Sequence, residues 1–111
     1  TAVVTNSMVA LGCEIHGTVE NSVLSSNVVI EEGATVKDSV IMSGTVIKKG
    51  AEVNYSLIDE GVVVNEGAQI GEDKATAKGI SVLGRSITVG NNAKVAAGAI
   101  IDKNIMEGEE A

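Results

Sequence analysis

An internal repeat of 17 residues constrains this chain more than any other feature. Three rows align at this period without gaps and follow a shorter row of 15; in order, the rows are Asn6–Glu20, Asn21–Lys37, Asp38–Asn54 and Tyr55–Gly71. A repeat of this length indicates a solenoid, in which each unit packs only against its neighbours.

Columns of like residues run through the aligned rows. Within a row, large aliphatic residues recur at steps of six, six and five, and Gly, Asn or Asp interrupts the β-branched runs too often for a helix. Three short strands per row fit this pattern, so each row makes one circuit of a triangular coil whose columns stack ~4.8 Å apart. The predicted columns are Leu24, Ile41 and Ile58; Cys13, Ile30, Ile47 and Val64; Val19, Val36, Val53 and Ile70; and Gly33, Gly50 and Gly67.

The pattern predicts one all-β domain over residues 1–111, with about five to six coils. Regular coils occupy residues 6–71, a polar loop projects at 72–79, further coils fill 80–101, and an acidic tail at 102–111 caps the open end or is disordered. Because the chain begins with Thr1 and not with methionine, we expect it to be a piece of something longer.

The composition of the chain argues against several classes of protein. Fifteen acidic against eight basic residues give a net charge of −7, which argues against a nucleic-acid partner. The apolar runs are too short for a signal peptide or a membrane span. A single cysteine excludes a disulfide framework and a cysteine-ligated zinc site. No glycine-rich run has the form of a phosphate loop or a dinucleotide fingerprint.

Few residues are candidates for catalysis. His16, the only histidine, cannot form a three-histidine metal site, and a polar turn residue is its simpler interpretation. Cys13 lies in an aliphatic column and is expected to be a small buried apolar residue. The carboxylates fall at turn positions, where solvation explains them. We therefore predict no catalytic residue and no metal site in this chain.

Two groups of residues are candidates for binding. Lys74, Lys78 and Arg85 lie on or beside the loop, where they could bind a phosphorylated effector or simply keep an acidic protein soluble. Val29, Val46 and Val63 each precede an inward residue, so strand alternation points them outward. Stacked on successive coils, they predict an exposed apolar stripe for a subunit or interdomain contact.

The six-residue pattern, aliphatic-x-x-x-small-x, resembles the left-handed parallel β-helix of hexapeptide acyltransferases and sugar-nucleotide pyrophosphorylases. The left hand comes from this resemblance. A closer one follows from NS-x-V-x-x-GC, GTVENSVL and G-A-x-V-K-x-SVIM within residues 6–44, and from Ser81–Ile101. These strings are similar to the carboxy-terminal domain of bacterial glucose-1-phosphate adenylyltransferase.

That resemblance implies an amino-terminal nucleotidyltransferase domain, which joins ATP and glucose 1-phosphate into ADP-glucose and pyrophosphate with Mg2+ for glycogen synthesis. It also implies a cytoplasmic, non-membrane protein and a homo- or hetero-oligomer, tetrameric in the family. This chain would pack on the catalytic domain, hold no cofactor of its own and help form an allosteric site. Two alternatives stay open: a hexapeptide acyltransferase with an acyl-CoA donor and His16 as base, and a solenoid interaction module.

Overall fold

The computed structural model describes residues 2–111, in which seventeen short strands follow one another without a helix. Three strands make each of the first five coils, and a corner separates each strand from the next. In chain order the strands are β1 (Val3–Thr5), β2 (Met8–Val9), β3 (Glu14–Ile15), β4 (Thr18–Glu20), β5 (Val23–Leu24), β6 (Val29–Ile30), β7 (Thr35–Lys37), β8 (Val40–Ile41), β9 (Val46–Ile47), β10 (Glu52–Asn54), β11 (Ser56–Ile58), β12 (Val63–Val64), β13 (Gln69–Ile70), β14 (Ser81–Leu83), β15 (Thr88–Val89), β16 (Lys94–Val95) and β17 (Ile100–Ile101).

Every third strand joins the same parallel sheet, so the described chain forms a triangular prism with three faces. Sheet A contains β1, β4, β7, β10, β13 and β16; sheet B contains β2, β5, β8, β11, β14 and β17; sheet C contains β3, β6, β9, β12 and β15. We name the corners between them A/B, B/C and C/A in chain order. The result is an all-β parallel β-solenoid of about six turns over residues 2–111, which confirms the predicted fold class.

One aliphatic column from each sheet fills the interior. Val36 pairs in register with Val53, Ile41 with Ile58 and Ile30 with Ile47, and these inward side chains are fully buried. In-register stacking of these β-branched residues buries apolar surface. Each Å2 of apolar surface removed from water stabilises the fold by about 25 cal/mol, and this burial is the main favourable contribution to such a fold.

The structure corrects one of the predicted columns. The residue stacked on Ile30 is Ile15 and not Cys13, because the first coil pairs with the second at an interval of 15 residues. Cys13 precedes β3 by one residue, as Val28 precedes β6. The two residues missing from the first row therefore belong to the C/A corner, later in the row than Cys13.

Gly17 explains how the first coil closes with a shorter corner. It is buried, and a Cβ atom there would collide with the backbone carbonyl oxygens of Ala34 and Glu31 in the next coil. Later coils use a longer corner, where Gly33 and Gly50 have φ of +78° and +69°. Only glycine adopts that conformation without steric cost.

A ladder of serines supports the tight A/B corner. The hydroxyl of Ser39 donates to the carbonyl oxygen of Lys37 (2.7 Å) and accepts from the backbone N–H of Ser56 in the next coil (3.1 Å). Ser22 makes the corresponding pair of bonds one coil earlier. Each hydroxyl thus gives the N–H of the next serine a partner that a two-residue corner would otherwise not supply. It also adds a second bond to a carbonyl oxygen that already accepts a backbone N–H of the next coil.

Extra residues enter at the A/B corner without disturbing the sheets. Ser56 pairs with Ser81, 25 residues later, whereas the regular interval is 17, so eight residues are added there. Within them, the carbonyl oxygen of Asp73 accepts the N–H groups of Thr76 and Ala77, both at 2.9 Å. The loop therefore folds on itself outside the prism.

The carboxy-terminal segment stacks on the last coil. Ile105 bridges to Val89 and is buried, while Glu110 bridges to Lys94. The N–H of Ala111 also donates to the carbonyl oxygen of Lys94 (2.8 Å). These bonds hold the acidic tail, which was predicted either to cap the open end or to be disordered, against the last coil.

Candidate functional site

His16 lies at the short C/A corner of the first coil. Its backbone N–H donates to the carbonyl oxygen of Ile30 (2.7 Å), and its imidazole is exposed. The corner next to it in the following coil carries Glu31 and Glu32. Among residues 2–111, no group of three or more His, Cys, Asp or Glu side chains could hold a metal ion.

Cys13 is half-buried at the B/C corner and faces the edge of the core. Its thiol donates to the carbonyl oxygen of Ser25 (3.0 Å) and packs against the core cluster. No basic side chain forms a hydrogen bond or ion pair with it in the described chain. This is the environment of a structural cysteine, since a nucleophilic thiol requires a positively charged neighbour.

The three predicted effector residues do not lie at one corner. Lys74 belongs to the A/B loop and lines an open cavity of about 470 Å3 with Asn21, Asp38 and Tyr55. Lys78 follows in the same loop, but Arg85 lies at the B/C corner, at the opposite edge of sheet B. Lys74 thus lies at a polar cavity, and Arg85 lies at the other end of the sheet B strands.

The predicted valine stripe lies on the outer face of sheet C. Val29, Val46 and Val63 pair in register on successive coils, and all three are half-buried. The column continues to Glu14 at one end and to Thr88 at the other. The stripe is therefore three rungs long and ends in polar residues on both sides.

Sheet B carries a longer apolar column, which the sequence prediction missed. Val23, Val40 and Leu57 are 42%, 38% and 37% exposed. The column has six rungs in register, none of them charged, and we call it the sheet B ladder: Met8, Val23, Val40, Leu57, Val82 and Ile100.

The signal for the sheet B ladder is present in the sequence. Val23, Val40 and Leu57 each precede a residue of the inward Leu24 column, just as the valine stripe precedes the Ile30 column. The same strand alternation predicts that they point outward. The predicted apolar stripe therefore covered only one of the two outward columns that this pattern supports.

One protein-family comparison agrees with this architecture. The family described as "GlmU-like, C-terminal hexapeptide" matches residues 1–80, which supports both the hexapeptide repeat and the left-handed β-helix. No curated protein matches the chain.

Among solved structures, the chain is similar to the acetyltransferase domain of PglB from Neisseria gonorrhoeae FA1090, at 17% identity and a TM-score of 0.45. The alignment covers 98% of this chain and 50% of that one, so the chain spans half the length of that protein.

Residues 2–111 contain no helix that is long and apolar enough to cross a membrane. They show stacked coils with the repeat length and the inward aliphatic columns of hexapeptide solenoids, and the family match covers nearly three quarters of the sequence. The chain therefore belongs to the GlmU-like C-terminal hexapeptide family.

Proposed function

We propose that this chain is the carboxy-terminal β-helix of a glucose-1-phosphate adenylyltransferase subunit, where it supplies assembly surfaces and no catalytic groups. The observation that carries the proposal is the sheet B ladder, a six-rung apolar column on the outside of an acidic protein. Monomeric proteins rarely leave a contiguous apolar strip in water, and such strips commonly mark contacts with another domain or subunit.

The resemblance to the adenylyltransferases supports the choice of parent enzyme. The string GTVENSVL begins at Gly17, continues through β4 and the serine corner at Ser22, and ends at Leu24 in β5. It therefore encodes part of the shortened corner, one tight corner and two positions of the inward aliphatic columns, Val19 and Leu24. This is a more specific combination than the six-residue pattern alone.

In this proposal the chemistry belongs to an amino-terminal nucleotidyltransferase domain, where Mg2+ assists the reaction of ATP with glucose 1-phosphate. This chain packs against that domain and against other subunits in the cytoplasm. Lys74 is the strongest of the three effector candidates, because it lines an open cavity together with Asp38 and Tyr55. Like Lys78 and Arg85, it stays a prediction.

The proposal is tested on the native protein. Mass spectrometry of the native polypeptide that carries this sequence is expected to show a chain several hundred residues long. The oligomer purified from the source cell is expected to form ADP-glucose from ATP and glucose 1-phosphate. A native chain of about the present length, or an oligomer that lacks this activity, would contradict the proposal.

Acyl transfer is the second candidate, and the exposed imidazole of His16 at a coil corner is the observation in its favour. In that case the purified chain would transfer an acetyl group from acetyl-CoA to an acceptor, and His16→Asn would abolish the transfer. We expect neither result.

A further inference from the structure

We propose that the A/B corner binds a linear, neutral saccharide, with one pyranose unit on each of four successive coils. The residues that would bind it share one open cavity, and we call them the corner site: Asn6, Asn21, Asp38, Tyr55 and, from the loop, Lys74. This goes beyond the proposed function, because it concerns binding by this chain alone and needs no nucleotidyltransferase domain.

Tyr55 has a strained backbone conformation at this corner. In the three preceding coils the same position is in the left-handed region, and there it holds a residue type that tolerates it: Asn6, Asn21 and Asp38 have φ of +48°, +50° and +51°. Tyr55 has φ of +48°, although it is bulky and is the only aromatic residue in the sequence. Strained residues of this kind cluster at binding and catalytic sites, so we expect the Tyr55 ring to have a role that Asn cannot fill.

Opposite charges line the cavity of the corner site without pairing. Asp38 and Lys74 both border this open cavity of about 470 Å3. In the part of the chain that the structure describes, however, the only ion pair joins Lys37 to Glu20. A bound anion would be repelled by the Asp38 carboxylate and a bound cation by the Lys74 ammonium. A neutral ligand with hydroxyl groups suits both, because a hydroxyl donates to the carboxylate and accepts from the ammonium.

The side chains of the corner site repeat at a regular interval. The corner residues lie next to the in-register pairs of sheet B and therefore stack at the coil spacing of ~4.8 Å, which is about the length of one pyranose unit in an extended chain. The amide of Asn6 donates from Nδ2 to Oδ1 of Asn21 (2.6 Å). That bond leaves the Nδ2 donors of Asn21 and the Oδ1 acceptor of Asn6 for a ligand that has both kinds of group.

Apolar side chains lie beside the polar ones. Val23 and Val40 of the sheet B ladder are exposed and line the same cavity as Tyr55. A pyranose ring is divided in the same way, because its C–H groups form an apolar face and its hydroxyls lie at the rim. Binding sites for small ligands combine apolar and aromatic side chains with a few placed polar groups. The corner site has this composition along several coils.

A peptide does not fit this corner as an added strand. The backbone N–H groups of Asn21, Asp38 and Tyr55 already donate to carbonyl oxygens of the preceding coil, at 2.9–3.0 Å. Strand addition needs unpaired backbone groups at the edge of a sheet. The corner site therefore offers side chains and not backbone, which favours a saccharide over a peptide.

Titration of the isotope-labelled chain, followed by NMR, tests the binding. The probes are cellotetraose, whose β-1,4 links give an extended chain, and maltotetraose, whose α-1,4 links give a curved one. A few net hydrogen bonds and one stacking contact correspond to a dissociation constant of about 1 mM. We expect cellotetraose to shift the amide signals of Asn21, Asp38 and Tyr55 with about this constant. Maltotetraose, which cannot follow the coil spacing, should bind at least about threefold more weakly.

Tyr55→Asn separates binding from folding. Asn already occupies this conformation at two other A/B corners, so the variant should melt at a higher temperature than the wild type. The same change removes the ring and should weaken cellotetraose binding at least about tenfold. If Tyr55 only supported the fold, the variant would melt at a lower temperature and bind cellotetraose as the wild type does.

Two glycine variants in one coil provide a matched pair. Asn21→Gly removes an amide from the corner site, whereas Asn27→Gly makes the same change at the B/C corner, where φ is +61°. Because glycine adopts both conformations freely, both variants should stay folded, as circular dichroism melts can confirm. Asn21→Gly should weaken cellotetraose binding by about three- to tenfold, and Asn27→Gly should leave it unchanged.

No shift of these amide signals at ten times the expected dissociation constant would overturn the saccharide site, as would equal effects of the two glycine variants. Inorganic phosphate is the competing probe: if phosphate shifted the same signals, Asp38→Asn strengthened its binding and cellotetraose did not bind, the corner would be an anion site. Equal affinities for the two tetrasaccharides would overturn the alignment of one unit per coil. Failure of the proposed function is seen separately, in the native polypeptide and its ADP-glucose synthesis.

Discussion

At the scale of single residues, the A/B corner depends on a hydroxyl. Replacing Ser39 by Ala leaves the N–H of Ser56 without its partner, while the carbonyl oxygen of Lys37 keeps the bond that it accepts from the N–H of Tyr55. A buried polar group without a partner costs about 1–3 kcal/mol, so we expect Ser39→Ala to lower the free energy of unfolding by that amount. Urea denaturation measures it.

The matched control is Ser43→Ala at the B/C corner, since the Ser43 hydroxyl makes no hydrogen bond within the described residues. It should change the free energy of unfolding by less than about 0.5 kcal/mol. If the two alanine variants were equally stable, the serine ladder would not contribute to stability.

The second prediction at this scale compares the effects on stability of an inward and an outward residue of the same strand, β9. Ile47 is fully buried in β9, while the preceding Val46 is half-buried on the outer face. Ile47→Asp buries an unpaired carboxylate, which costs several kcal/mol against a total stability of about 5–15 kcal/mol. We expect Ile47→Asp to be unfolded and Val46→Asp to melt cooperatively. A cooperative melt of Ile47→Asp at the wild-type temperature would contradict the inward column.

At the scale of elements, the loop at residues 72–79 is an addition to a corner and not a part of the sheets. Its hydrogen bonds from Thr76 and Ala77 to Asp73 are internal. Joining Gly71 directly to residue 80 restores the regular interval and shortens the closed segment. The deletion carries Ile80→Asn, because residue 80 then takes the corner position at which Asp38 and Tyr55 have φ of +51° and +48°. Because closing a shorter loop costs less entropy, we expect the deletion variant to stay folded with an unchanged or higher melting temperature. Loss of a cooperative melt would show that the loop supports the coils.

The sequence predicts this fold well because its signal is repeated. Each inward column appears at several positions, so single departures do not hide it. The prediction failed at Cys13, because a two-residue difference in row length gives no indication of which corner is short; the backbone contact at Gly17 decides that. The serine ladder was missed because a buried serine and a solvated turn serine are the same letter, and only the geometry of Ser39 distinguishes them.

At the scale of the whole molecule, charge opposes the association that the sheet B ladder favours. Two bodies of charge −7 whose centres are 21 Å apart repel by about 10 kcal/mol in water without salt, and by about 1 kcal/mol when the Debye length is 8–10 Å. Long-range repulsion therefore opposes self-association of this chain at low salt.

We accordingly expect any self-association of the chain to strengthen as NaCl rises from about 10 mM to about 150 mM. Sedimentation equilibrium across that range measures the change, with wild type and Lys94→Glu compared at each salt concentration; the more acidic variant should show the steeper dependence. A dimer that weakens steadily as salt is added would indicate that local ion pairs outweigh the net charge.

The register between coils has a consequence for how such chains change in length. Ile41 and Ile58 pair directly because their coils differ by one complete repeat, and the serine of each coil bonds only to the next. Duplication of a 51-nucleotide gene segment would therefore add one whole coil with its own inward residues and corner bonds. Pairs at the insertion point would be replaced by equivalent ones, and every other pair would keep its partner. In a protein built this way, tandem duplication of one repeat lengthens the solenoid by one coil and leaves the structure of the other coils unchanged.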